Sequence, residues 1–156
     1  MSDPGDPGGG MRQRLTMSGL EYLRKLADGE IPASAMITAL GFRLVEIGEG
    51  RVVMAARIDD RFNNGSGIIH GGYTASLLDS AMGSAVTSTL PAGRVFTTLE
   101  IKVNYVRPLR VDVGTVRCEA TVLHVGGRTA TAEGRVSDDD GVLYAHGTTT
   151  CMRFRG

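Results

Sequence analysis

Between Phe62 and Gly93 the chain carries no Lys, Arg or Glu and a single acid, Asp79, and nine residues before that acid stands His70-Gly71-Gly72. A carboxylate in so apolar a run is costly to bury unless a partner satisfies it or a reaction uses it. Chemically it suits two tasks, drawing a proton from water as a general base or attacking an electrophilic carbon directly. A glycine pair at a helix start offers the complementary half. The first backbone N–H groups of a helix lack intrahelical acceptors and carry the positive end of its dipole, so they bind developing negative charge. Gly71 and Gly72 also present no side chain to block the approach of a ligand. Asn64, in the loop Asn63-Asn64-Gly65-Ser66-Gly67, is a further polar candidate.

Each of these residues also has a purely structural reading. Asp79 could be a buried acid capped by the Ser76 or Ser80 hydroxyl. His70 could fix the helix start by bonding to backbone, and this is preferred to a base role because Asp79 already supplies one. Asn64 suits an Asx turn in its glycine-rich loop.

Other chemistries are poorly served. His70, His124, His146, Cys118 and Cys151 have no metal-ligand spacing, so no metal and no cofactor are expected. The cysteines read as buried free thiols. Gly65-Ser66-Gly67 lacks the Gly-x-Ser-x-Gly spacing of a hydrolase elbow. Asp138-Asp139-Asp140-Gly141 reads as a solvated turn, since no further ligands complete a calcium loop. Lys plus Arg and Asp plus Glu each number 17, so the net charge is zero. No basic tract marks a nucleic-acid surface. The Asn, Gly, Ser and Thr content and the central acid of the uncharged stretch argue against a membrane span. The start of the chain has neither the basic nor the apolar segment of a signal peptide, and a cytoplasmic location is expected.

The elements that must position these residues follow from periodicity. Residues 1–15 begin with a run of Asp, Pro and Gly and read as a disordered tail. Residues 16–40 read as a helical extension: Ser18 to Asp28 places Leu20, Leu23 and Leu26 on one side, and Pro32 to Leu40 reads as a second short helix. Phe42–Ile47 and Arg51–Ile58 read as strands around Gly48-Glu49-Gly50. A long helix is expected from His70 to about Leu90. After it Leu99, Ile101, Val103 and Tyr105 alternate with polar residues as a half-buried strand. Three more strands follow through Phe154, with turns at Gly126-Gly127 and Asp138–Gly141. The outline is an α+β domain in which a curved antiparallel sheet covers one long apolar helix, with Ala130, Ala132 and Gly134 letting it sit close.

That order, with Asn64, His70-Gly71-Gly72, Asp79 and the strand Thr98-Leu99-Glu100-Ile101-Lys102-Val103-Asn104-Tyr105-Val106-Arg107-Pro108, resembles the PaaI-like hotdog-fold acyl-CoA thioesterases. The resemblance runs from about Leu40 to Phe154, so residues 41–156 are expected to form the hotdog domain. It implies hydrolysis of an acyl-CoA thioester. Asp79 would be general base or nucleophile, the Gly71 N–H would polarise the carbonyl, and Asn64 would orient water or carbonyl. It further implies Thr98 as a hydroxyl beside the acid, His70 at the helix mouth, and Gly72 against the substrate. The phosphates of CoA should meet arginines, with Arg107, Arg110 and Arg128 as candidates. Hotdog hydratases or dehydratases, and non-catalytic acyl-CoA-binding domains, are the alternatives.

Helix geometry adds a constraint. Gly71 and Asp79 are eight residues apart, about 12 Å of rise at ~1.5 Å per residue. One thioester carbon can hardly reach both in a single chain. Two antiparallel copies would bring the Gly71 end of one to Asp79 of the other, so a homodimer with shared sites is expected, and the resemblance implies its further pairing into a homotetramer.

Overall fold

The computed structural model describes residues 9–156. The long helix α4 (Gly71–Ser88) is crossed by one six-stranded sheet made of β1 (Phe42–Gly48), β2 (Arg51–Arg57), β3 (Arg94–Tyr105), β4 (Thr115–Val125), β5 (Thr129–Asp138) and β6 (Leu143–Arg155). The strand order is β1-β2-β4-β5-β6-β3, and every neighbouring pair is antiparallel. The sheet curves far enough for α4 to touch all six strands. Three short helices precede it: α1 (Gly9–Leu15), α2 (Gly19–Ala27) and α3 (Ala35–Leu40). This is the hotdog architecture.

Close packing of α4 depends on small residues opposite large ones. Leu77, Leu78, Ala81, Met82, Ala85 and Val86 are buried against Ala120, Ala130 and Ala132. A Cβ on Gly134 would stand 3.0 Å from Leu78 and 3.1 Å from Met82, so only glycine admits them without displacement. Burying each such large side chain contributes about 2 kcal/mol.

The strict alternation expected for β3 fails at Leu99. That residue is a β-bulge between Thr98 and Glu100, and it is 55% exposed. The extra residue shifts the phase of the strand. Thr98 and Phe96 before the bulge, and Ile101 and Val103 after it, then all face the helix side. Val45 in β1 and Leu123 in β4 sit at similar register shifts and are likewise exposed. Tyr105, also expected inward, is 55% exposed because it lies at the strand end, beyond the core.

The N-terminal part is more ordered than its composition suggests. Residues 1–8 lie outside the described region, but Gly9–Leu15, expected within the disordered tail, is helical. Arg14 anchors it: its side chain is buried, lies over the Tyr22 ring and donates to the Met17 carbonyl. The α2 helix begins with Ser18 capping the Glu21 N–H and docks directly on the C-terminal turn of α4. Gly19 donates its N–H to the Leu90 carbonyl at 2.8 Å, and a Cβ there would fall 1.6 Å from the Thr87 carbonyl oxygen. At the other end, Gly41 ends α3 in the left-handed conformation (φ 71°). The Tyr73 hydroxyl then ties the Leu40 carbonyl to the start of α4 at 3.0 Å.

Candidate active site

Two cavities lie along α4, and no residue lines both. The first, of about 310 Å³, opens at the helix mouth and is bordered by Asn64, Gly71, Tyr105 and Arg107. The second, of about 560 Å³, lies two turns further along and holds Asp79 and Thr98.

At the mouth, His70 caps the helix: its Nδ1 accepts the Gly72 N–H at 2.9 Å, and its carbonyl accepts the Tyr73 N–H. Nδ1 is thus the unprotonated nitrogen, and the histidine is engaged in holding the first turn. His70 thus stands as the helix-start residue that the sequence favours over a base, and the Gly72 N–H is engaged within the first turn. The Gly71 N–H, in contrast, has no acceptor among the described residues. Tyr105 holds this peptide in place, since its hydroxyl donates to the Gly71 carbonyl at 2.8 Å and its ring would stand 3.1 Å from a Cβ at that position. Tyr105 is a residue that alternation alone assigned to the core; the signal available was its place at the end of β3, next to Arg107-Pro108. Asn64 forms the expected Asx turn, with Oδ1 accepting the Ser66 N–H at 2.9 Å. Its amide group has no acceptor among the described residues, and the residue borders the cavity.

In the second cavity Asp79 is half-buried and forms no ion pair among the described residues. The Thr98 hydroxyl donates to Asp79 Oδ1 at 3.0 Å, and Oδ2 has no hydrogen-bond partner among the described residues. The hydroxyls of Ser76 and Ser80, which the purely structural reading would use as caps, do not serve it: Ser76 bonds back to the Gly72 carbonyl. The arrangement is that of a carboxylate held by one donor at the border of a cavity large enough for an organic group.

Nearby thiols do not compete as nucleophiles. Cys118 and Cys151 are free and buried. Burial pushes the Cys118 thiol up to about 12 and raises Cys151 as well, which keeps both protonated at neutral pH. Of the three arginines, Arg107 borders the helix-mouth cavity, while Arg110 begins the short 3₁₀ turn Val111–Val113 and Arg128 sits at the β4–β5 turn, lining neither cavity. No helix of the described residues is long and apolar enough to cross a membrane.

The family model of the thioesterase superfamily matches residues 66–145, just over half of the chain. A candidate esterase of Halobacterium salinarum is 33% identical over 114 residues, covering 69% of this chain and 73% of its own. Among solved structures, a conserved protein of Pseudomonas aeruginosa is 36% identical with a TM-score of 0.73, covering 78% of this chain and 95% of its own. A candidate thioesterase of Ralstonia eutropha described as related to phenylacetic acid degradation is 29% identical with a TM-score of 0.77, covering 84% of this chain and 98% of its own.

Proposed function

The chain belongs to the thioesterase superfamily, in its PaaI-like hotdog branch, and from that premise we propose that it hydrolyses acyl-CoA thioesters at sites shared by two copies of the chain. The observation that carries this reading is Asp79, a carboxylate that borders a cavity, with one oxygen fixed by Thr98 and the other without a hydrogen-bond partner among the described residues. Asp79 Oδ2 draws a proton from water as the water oxygen attacks the thioester carbonyl. The Gly71 N–H of the partner copy holds the resulting oxyanion; one such donor contributes about 3–4 kcal/mol in comparable sites. Collapse of the tetrahedral intermediate breaks the C–S bond, and the thiolate of CoA regains the proton from Asp79. Arg107 at the same mouth meets the phosphates of CoA, with Asn64 directing its amide donors at the carbonyl or the water.

The need for a second copy rests on distance. The Gly71 donor and Asp79 open into different cavities, about 12 Å apart along one helix. The strand β3, twelve residues long, forms an edge of the sheet with its outer backbone groups unpaired. A long edge of this kind is a template for pairing. Two β3 edges joined about a two-fold axis give two equivalent sites, and the dimers pair further into a tetramer. The free thiols of Cys118 and Cys151 suit the reducing cytoplasm, where CoA esters would be met.

A hydratase reading is less favoured. It would pair a histidine with the acid, whereas His70 Nδ1 is committed to the Gly72 N–H. The test is free-thiol release from a panel of aryl and aliphatic acyl-CoAs, run beside enoyl-CoA hydration and sedimentation. Thiol release by a dimer or larger assembly is expected. Hydration without thiol release, or a stable and active monomer, would refute the reading.

A further inference from the structure

We propose that the segment from α2 to α3 is the outer wall of the acyl pocket and sets the length of acyl group that the site accepts. This rests on the acyl-CoA reading above. The segment is fastened at two points only a helix length apart: Gly19 to the Leu90 carbonyl at the C-terminal end of α4, and the Leu40 carbonyl to Tyr73 at its start. Between them it bridges the middle of α4, with Leu23 and Ile31 buried as further anchors. The cavity of about 560 Å³ lies beneath that bridge. Its inner side is α4 from Asp79 to Thr87, and its outer side is Tyr22, Leu26 and Ile37.

The α4 face under the bridge is open to an occupant. Ser76 bonds back to its own helix, but Ser80 and Ser84, on the cavity side, have no hydrogen-bond partner among the described residues. Gly83 lacks a side chain and lets the Phe96 ring lie against the helix, where a Cβ would come within 2.9 Å of it. That ring is the side wall. The path from Asp79 to Thr87 is about 12 Å long by helix rise, which suits a medium-length acyl chain with its thioester end at Asp79 and its tail under Leu26 and Ile37. Acetyl groups would leave the cavity largely empty. The acyl group is thus held by the chain that provides Asp79, and its CoA half by the partner's helix mouth.

The experiment measures binding of non-hydrolysable S-alkyl-CoA thioethers, from ethyl to dodecyl, by calorimetry on the full chain. Affinity in the wild type should rise by about fourfold per added methylene until the pocket is full. Ile37→Trp fills the outer wall and should cut the octyl-to-ethyl affinity ratio by about tenfold or more. Leu26→Ala should move the cutoff to longer chains, which a misfolded variant could not do. An affinity independent of chain length in the wild type overturns the proposal, as does a cutoff that neither variant moves, or a loss equal at every length. Thiol release measured in parallel separates the two claims: a chain-length cutoff without hydrolysis leaves the wall intact and removes the thioesterase reading.

Discussion

Asp79→Asn should lower kcat for acyl-CoA hydrolysis by about two to four orders of magnitude, in line with loss of a general base, with little change in folding. Asparagine keeps the shape of the side chain and an oxygen for the Thr98 hydroxyl, which sits 3.0 Å from Asp79 Oδ1. What it loses is the basic lone pair of Oδ2 and the negative charge. Because Asp79 forms no ion pair among the described residues, no cation is left stranded by the change. Thermal melting should therefore stay close to wild type while turnover collapses. Steady-state kinetics with thiol detection checks this, and KM should move far less than kcat. A single turnover in ¹⁸O-water bears on the two routes open to a carboxylate. Water attack assisted by Asp79 places the label in the product acid, whereas an anhydride formed by Asp79 and opened by water at the aspartyl carbon leaves the label on Asp79 and passes an unlabelled aspartate oxygen to the acid, so label on the protein would establish direct attack.

The second large effect is at the helix mouth, and it can be produced without harming the helix. Gly71 is the first residue of α4, and its N–H has no acceptor among the described residues. Proline is well tolerated at this position, since the missing N–H is not used by the helix. The residue before it must be extended, and His70, at φ −57° and ψ 133°, already is. The neighbour that must yield is Tyr105, whose ring tip would lie 3.1 Å from a new Cβ and needs to give by only a few tenths of an ångström, which its exposure allows. Gly71→Pro removes one oxyanion donor and should cost about 10²–10³ in kcat. A variant with full activity would mean that the Gly71 N–H does not touch the reacting carbonyl.

Much of this site could be read from residue types and spacing, and the parts that could not have specific physical causes. The uncharged run with a single acid marked Asp79, and a glycine pair after a capping histidine marked the helix start. Both depend on local chemistry, which a linear sequence displays. The phase of β3 depends on a bulge. Thr98 reaches Asp79 only because Leu99 is extruded from the ladder, and an alternating pattern of apolar residues from Leu99 to Tyr105 points the other way. Nothing in the residues around Leu99 announces that extra position; it is fixed by the register that β6 imposes. The order of Gly9–Leu15 was hidden for a similar reason. Its helix is held by Arg14 lying over Tyr22 and by the Leu15 carbonyl accepting the Gly93 N–H, contacts that exist only once the domain has folded. The lining of the Asp79 cavity by α2 and α3 is also a tertiary fact. The amphipathic spacing of Leu20, Leu23 and Leu26 shows that this helix packs on something, without saying that it encloses a cavity.

The helix rise, by contrast, carried over directly from sequence to structure. Eight residues separate Gly71 from Asp79, and they open into separate cavities of the same chain. The central claim is that these two groups act together only across a pair of chains, and mixing two inactive variants tests it most directly. Asp79→Asn and Gly71→Pro chains, refolded together in equal amounts, should pair at random. Half of the dimers would be mixed, each with one of its two sites intact, so about a quarter of wild-type activity should return. Activity that stays at the sum of the two separate variants, with mixed dimers present by mass spectrometry, would contradict a site shared between copies.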